Sequence, residues 1–296
     1  MRGWWRDLSD LVLPAECGGC GMPRTVLCPE CRAALNGAVP SRVRPVPEPL
    51  GLPVVYAATR YEDEVRAVVL AHKERGALAL AGPLGTALAG AVRAGLDGAL
   101  PGRTGVLLVP VPSARRAVRA RGHDPARRIA LAAAGELRGS GTQARVLAVL
   151  RQRRVVADQA GLNSRQRLDN LAGALSVVPG GGQLLAGAGA VVLVDDLMTT
   201  GASLSEAARA VREAVGCGEA GGAEWAGEMG DVRRVRNVVY SDAGREGRGQ
   251  RGTGTTAAGV ERRPGMSGIA AAGAFGGVIC AAVVAATPDS FEINWN

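Results

Sequence analysis

Apolar residues along this 296-residue chain follow two periodicities. Short runs at residues 54–61, 106–109, 190–194 and 278–285 have the length and apolar, often β-branched, content of buried strands. Elsewhere, apolar positions recur every three or four residues. That spacing predicts helices over residues 64–71, 77–96 and about 126–137. Another begins near Ser203, with Leu204, Ala207, Ala208, Val211 and Val215 along one face. Strands alternating with helices predict an α/β fold, a parallel sheet flanked by helices.

The strand at 190–194 ends in two carboxylates, Asp195 and Asp196, where open α/β sheets place their ligands. A loop of small and hydroxyl-bearing residues follows, and then a helix start, where Ser203 and Glu206 have capping-box spacing. Loop amides and the positive end of a helix suit a phosphate, and the hydroxyls of Thr199, Thr200 and Ser203 add donors. The acid pair beside them suits a diol. Two rival readings fail on lysine. A P-loop needs a Gly-Lys-Ser/Thr turn, but the only lysine, Lys73, lies between His72 and Glu74. A receiver domain needs a lysine after its acids, and this chain has none there.

Composition indicates one main enzyme domain with appendages. Aromatic residues make up only 3% of the chain, so its core is built from Ala, Val and Leu. The formal charge of +8 is uneven, since residues 103–167 alone hold fourteen arginines. A stretch so basic implies anionic partners, phosphates first and nucleic acid second. Lys73 stands out among thirty-five basic residues. Either a compact ammonium is needed there or one lysine has survived by chance.

At the amino terminus, charge at Arg6 and Asp7 interrupts Trp4-Trp5 before a secretory apolar run develops. Residues 269–287 approach the length of a bilayer span, but they are mostly Ala and Gly, with Gly276-Gly277 in the middle. The expectation is a cytoplasmic protein without a membrane span. In a reducing compartment disulfides are disfavoured, and a redox dithiol would need only one C-x-x-C. Here there are two, Cys17-Gly-Gly-Cys20 and Cys28-Pro-Glu-Cys31. Four thiolates satisfy tetrahedral zinc, and Gly18, Gly19 and Gly21 permit tight turns. Cys217 and Cys280 lack partners at ligand spacing.

These signals divide the chain into a zinc-binding module (1–39), a Pro-rich linker (40–53) and a catalytic domain (54–216) completed by a last strand within 278–296. Residues 217–277 are Gly-rich, without apolar periodicity, and read as a disordered insert. Within them, residues 245–252 resemble an RGG-type nucleic-acid segment.

The junction after residue 190 resembles the phosphoribosyl-pyrophosphate (PRPP) loop of type I phosphoribosyltransferases. Further motifs narrow the likeness: the four cysteines, Tyr61-Glu62, Lys73-Glu74-Arg75-Gly76, Val109-Pro110-Val111-Pro112, Arg119-Ala120-Arg121-Gly122, and Asp158-Gln159-Ala160-Gly161-Leu162 with Arg165 and Arg167. In this order they are similar to the ComF family of phosphoribosyltransferase-like proteins, associated with DNA uptake in competent bacteria. Family members commonly carry Phe-Asn-Gln where this chain has His123-Asp124-Pro125.

The resemblance implies that Asp195 and Asp196 bind the ribose hydroxyls, and that Leu197, Met198, Thr199, Thr200, Gly201, Ala202 and Ser203 hold the 5′-phosphate. It places Pro112 and Ser113 at pyrophosphate, with Arg115, Arg116, Arg119 and Arg121 neutralising it; the alternative is a solvated basic helix start. Gln159, Arg165 and Arg167 would belong to a flexible loop closing over PRPP, or to an ordinary surface turn. The implied cofactors are Mg²⁺ with PRPP and structural Zn²⁺ at Cys17, Cys20, Cys28 and Cys31. The implied activity is phosphoribosyl transfer to an unidentified nitrogen acceptor, chosen by a hood from the amino-terminal half. The second reading is a non-catalytic PRPP sensor or single-strand DNA-binding competence factor.

Overall fold

The computed structural model describes residues 16–99, 105–154, 156, 163–220 and 278–291. Its main strands are β1 (Ser41–Val43), β2 (Val55–Arg60), β3 (Gly105–Pro110) and β4 (Gln143–Val146). A short antiparallel pair follows, β5 (Leu150–Gln152) and β6 (Leu175–Val177), and then β7 (Ala190–Met198) and β8 (Val278–Ala286). Six of these form one sheet of order β1-β2-β8-β7-β3-β4, parallel throughout except for β1. The helices are α1 (Pro29–Asn36), α2 (Asp63–Glu74), α3 (Ala81–Ala99), α4 (Arg115–Arg121), α5 (Pro125–Gly139), α6 (Ser164–Leu171), α7 (Gly181–Ala186) and α8 (Ala202–Ala220).

Side chains alternate across a strand with period two, and β7 buries both faces. Ala190, Val192 and Val194 pack with α3 and α5, whereas Val191 and Leu193 pack with α8. A strand buried on both sides needs the unbroken apolar run seen in the sequence. The expected face of α8 is buried as well, with Leu204, Ala207, Ala208, Val211 and Val215 all inside.

Two expectations change. The Pro-rich segment is no free linker. It contributes β1 to the sheet edge, and then lies along α8, where the Leu50 carbonyl accepts from the Ser205 hydroxyl at 2.8 Å and the Gly51 carbonyl from Arg212 at 2.7 Å. Prolines suit such an edge because they need no ladder donor. The strand expected at 278–285 forms as β8, paired on both sides by β2 and β7. The helical backbone of α8 continues to Ala220, into the first residues of the expected insert; residues 221–277 lie outside the described ones. Among the described residues one helical stretch, Leu78–Gly98, is long and apolar enough to cross a bilayer, and its Leu80, Leu84, Leu88 and Val92 are buried in the core.

Candidate functional site

The carboxyl ends of β3 and β7 lie side by side. Pro110 stands opposite Val194, and the Val111 amide donates to the Val194 carbonyl at 2.9 Å. This places Pro112 and Ser113 beside Asp195 and Asp196. The ladder does not stop at the acids. Leu197 pairs with Ala285, Met198 pairs with Ala286, and the Thr287 amide donates to the Met198 carbonyl. Leu197 and Met198 are therefore strand residues, and Met198 is core. The loop reduces to residues 199–201, and Ala202 opens α8. Gly201 has a φ of +73°, the left-handed region that favours glycine, and a Cβ there would also press on Leu52 Cδ1 at 3.1 Å.

Ser203 lies within the first turn of α8, and the expected capping box does not form. Glu206 Oε1 instead accepts from the Leu175 amide at 2.9 Å and from Arg209 at 2.8 Å. Burial would raise this carboxyl, but the Arg209 guanidinium and the Leu175 and Gly173 amides outweigh it and hold it below the usual range. Tying β6 to α8 has taken the side chain that the cap would have used.

Asp196 is only 3% exposed. Lys73, at the end of α2, places Nζ 2.9 Å from both of its carboxylate oxygens. Asp195 Oδ1 accepts from the Asp196 amide at 2.8 Å. Burial and then the Asp196 charge push the Asp195 carboxyl well above its ordinary value, against the pull of Lys73. Burial would lower the Lys73 ammonium, but Asp196 and Asp195 more than offset this and hold it high.

The helix carrying Lys73 starts just past β2, and its Lys73 side chain reaches Asp196 on β7. Its last turn is anchored on both sides of the lysine. Glu74 pairs with Arg121 Nε at 3.0 Å, and the His72 carbonyl lies 3.1 Å from His123 Nε2. The His72 ring sits edge-on to His123, with centroids 5.5 Å apart. It is buried with neither nitrogen hydrogen-bonded, and burial, then the His123 charge, push it down to about 4. Sequence reasoning missed this docking. The available signal was the isolation of one lysine among arginines.

The structure separates the four arginines of α4. Arg115, Arg116 and Arg119 are exposed, whereas Arg121 is committed to Glu74. Asp124 caps α5 by accepting from the Arg127 amide at 3.3 Å. Burial chiefly, with the Asp196 charge, raises the Asp124 carboxyl. From α6, Arg167 Nη1 donates to the Thr199 hydroxyl at 3.1 Å, which joins this helix to the loop. Arg165 on the same helix is exposed, and Gln159 lies outside the described residues.

Away from the acid pair, the sulfurs of Cys17, Cys20, Cys28 and Cys31 all lie within 4.8 Å of one another. Tetrahedral zinc at about 2.3 Å from each sulfur separates them by roughly 3.8 Å, and Cys20 and Cys28 are 3.6 Å apart. The Cys28 amide donates to Cys17 Sγ at 3.3 Å. Burial would raise the Cys17 thiol, but the Cys28, Cys20 and Gly19 amides bring it to about 6, whereas burial and the neighbouring thiols push the Cys31 thiol up. The glycines act differently from one another. Gly21 alone needs positive φ, +79°, whereas a Cβ on Gly18 would meet Leu80 Cδ1 at 2.6 Å and one on Gly19 would meet Cys31 Sγ at 2.5 Å. This cluster fits a structural metal such as zinc. Cys280 is buried in β8 and its thiol pushed up to about 12; the Cys217 side chain lies outside the described residues.

No family model matches the chain, and no curated protein matches it in sequence. What the site does has to follow from its own residues.

Proposed function

We propose that this protein is a type I, ComF-like phosphoribosyltransferase that binds PRPP with Mg²⁺ and transfers phosphoribosyl to a nitrogen acceptor. One observation carries the reading. The acid pair, the Thr199-Thr200-Gly201 turn and the first turn of the 19-residue α8 meet at the carboxyl end of a central parallel strand. In this reading Asp195 and Asp196 take the ribose hydroxyls. The hydroxyls of Thr199, Thr200 and Ser203, with the free amides opening α8, take the 5′-phosphate. The Ser113 hydroxyl and the exposed Arg115, Arg116 and Arg119 face the pyrophosphate, and Arg167 steadies Thr199.

When bound, Mg²⁺ supplies charge neutralisation for the leaving pyrophosphate. The anomeric C–O bond breaks with its electron pair going to pyrophosphate, the acceptor nitrogen forms the new C–N bond, and that nitrogen then loses a proton. The residues here orient and neutralise; little acid–base chemistry is asked of them. The hood formed by α2 would select the acceptor, and zinc would be the metal of the cysteine cluster. ComF resemblance adds a link to DNA uptake or nucleotide salvage.

The exposed Arg115, Arg116 and Arg119 support a second reading, a non-catalytic PRPP sensor or single-strand DNA-binding factor. Incubating the protein with PRPP and Mg²⁺, with and without pools of nucleobases and amines, separates the two. Acceptor-dependent pyrophosphate release supports transfer. Calorimetric PRPP binding without release supports sensing, and an absence of binding overturns the site.

A further inference from the structure

Asp196 is closed to the ligand just proposed. The Lys73 ammonium spans both oxygens of Asp196, 2.9 Å from each, and the Asp196 side chain is 4% exposed. A diol donates its hydroxyl protons to these same atoms, and a divalent cation coordinates them. Neither has room while the ammonium stays. The Lys73 side chain, however, is 30% exposed and so has solvent to move into.

We propose that Lys73 is an exchangeable counter-ion: it holds Asp196 in the ligand-free protein and leaves when a diol or divalent cation arrives. It then turns its ammonium to a phosphate oxygen of the same ligand. The identity of that ligand rests on the PRPP reading; the exchange at Asp196 does not. Two adjacent, mostly buried carboxylates repel each other unless a cation sits between them and the rest of the core. An internal cation offsets that repulsion without a metal.

The residue type is the second argument. Thirty-four of thirty-five basic residues in this chain are arginine, and the exception stands at this point. A guanidinium would grip a carboxylate with two parallel N–H bonds in a planar fork. An ammonium binds as a point charge, is strongly hydrated once released, and so exchanges more readily. The backbone around it is fixed, because Glu74 is tied to Arg121 and the His72 carbonyl lies against His123. Only the side chain is left to move. Lys73 is thus a positioning residue that sets when Asp196 is available.

The single lysine makes the test direct. The chain labelled with ¹³C at lysine Cε should give one side-chain resonance, shifting on addition of Mg²⁺ alone or Mg²⁺ with PRPP, and not shifting in Asp196→Asn. Binding of Mn²⁺ alone, followed by electron paramagnetic resonance, gives the second readout. Lys73→Gln should tighten it by about tenfold, and Lys73→Arg should weaken it by about as much, the scale of one hydrogen bond to a charged group. A resonance that stays still while calorimetry shows ligand bound overturns the exchange, as does wild-type Mn²⁺ affinity in Lys73→Arg. If Mn²⁺ and the lysine respond while PRPP never binds, the counter-ion role stands and the PRPP reading falls.

Discussion

The cysteine cluster and the acid pair both concentrate negative charge inside a core, yet they are neutralised from opposite directions. The four sulfurs come from one short segment, and they are met by amides and by one another. Their cation has to come from outside. Asp196 draws its cation from a residue 123 positions away along the same chain. A local cluster can be written as a motif but depends on a metal. A long-range one carries its own charge, depends on the whole fold, and can exchange what it holds.

The largest effect that would break this contrast is loss of the metal. Cys17, Leu27, Cys28 and Leu35 share a core with Val65 and Val68 of α2 and Leu80 and Leu84 beside them. Cys17→Ser or chelation should therefore lower the melting temperature and loosen α2 as well. The change should be several kcal/mol, since structural zinc contributes about 10–16 kcal/mol of binding energy in small zinc domains. Scanning calorimetry with and without chelator, alongside elemental analysis, reads both. An unchanged Tm after chelation would mean that the four thiols are not a metal site.

Next in size are the glycines that let the module close. Gly19→Ala drives a Cβ to 2.5 Å from Cys31 Sγ, an atom the metal would pin. We expect a loss of about 1–3 kcal/mol from overpacking. Gly18→Ala meets the tip of Leu80 instead, at 2.6 Å, and should cost less because that tip can turn. Denaturant midpoints for the two variants would test this order, and equal losses would contradict it.

The two aspartates should respond with opposite signs. The fold holds the Asp195 carboxyl above its ordinary value, so its ionised form subtracts stability at neutral pH. Asp195→Asn should raise Tm at pH 7, and the gain should shrink as pH falls toward the ordinary aspartate range. Asp196→Asn leaves Lys73 facing a neutral amide and should lower stability by about 1 kcal/mol, discounted because Lys73 is partly in solvent. Thermal scans between pH 4 and pH 8 show whether the curves diverge as stated. Smallest of all is Arg116→Ala, on the exposed face of α4. It should change stability by less than about 0.5 kcal/mol, while Arg121→Ala should lose more because Glu74 loses its partner. Equal stabilities for these two would remove the division drawn within the arginine cluster.

The elements legible in the sequence were those whose burial is two-sided or strongly periodic. Val191, Val192 and Leu193 announced β7, and the spacing of Leu204, Ala208 and Val211 announced α8. Less visible were short pieces with one exposed face. β1 is three residues set among prolines, and β4 shows Gln143 and Arg145 to solvent. Boundaries erred where a neighbour decided them: β8 extends β7 through Met198, and Leu175 takes Glu206 from its expected cap. The acid pair and the cysteines were visible because each lies within one segment. The lysine's partner was not, because nothing local connects residue 73 with residue 196.

The position of β8 has a consequence for how the protein is made. Among the described residues it is the last strand along the chain, and it lies between β2 and β7 with Ala281, Ala282, Val283 and Val284 wholly buried. A ribosome adding about 5–20 residues each second exposes both flanking strand edges well before their common neighbour emerges. Until then β2 and β7 each have an inner edge of unpaired amides and carbonyls, a state open to chaperones and to wrong pairing. The β2 strand, which leads into α2 and Lys73, and the β7 strand, which carries Asp195 and Asp196, therefore come into register only once β8 lies between them.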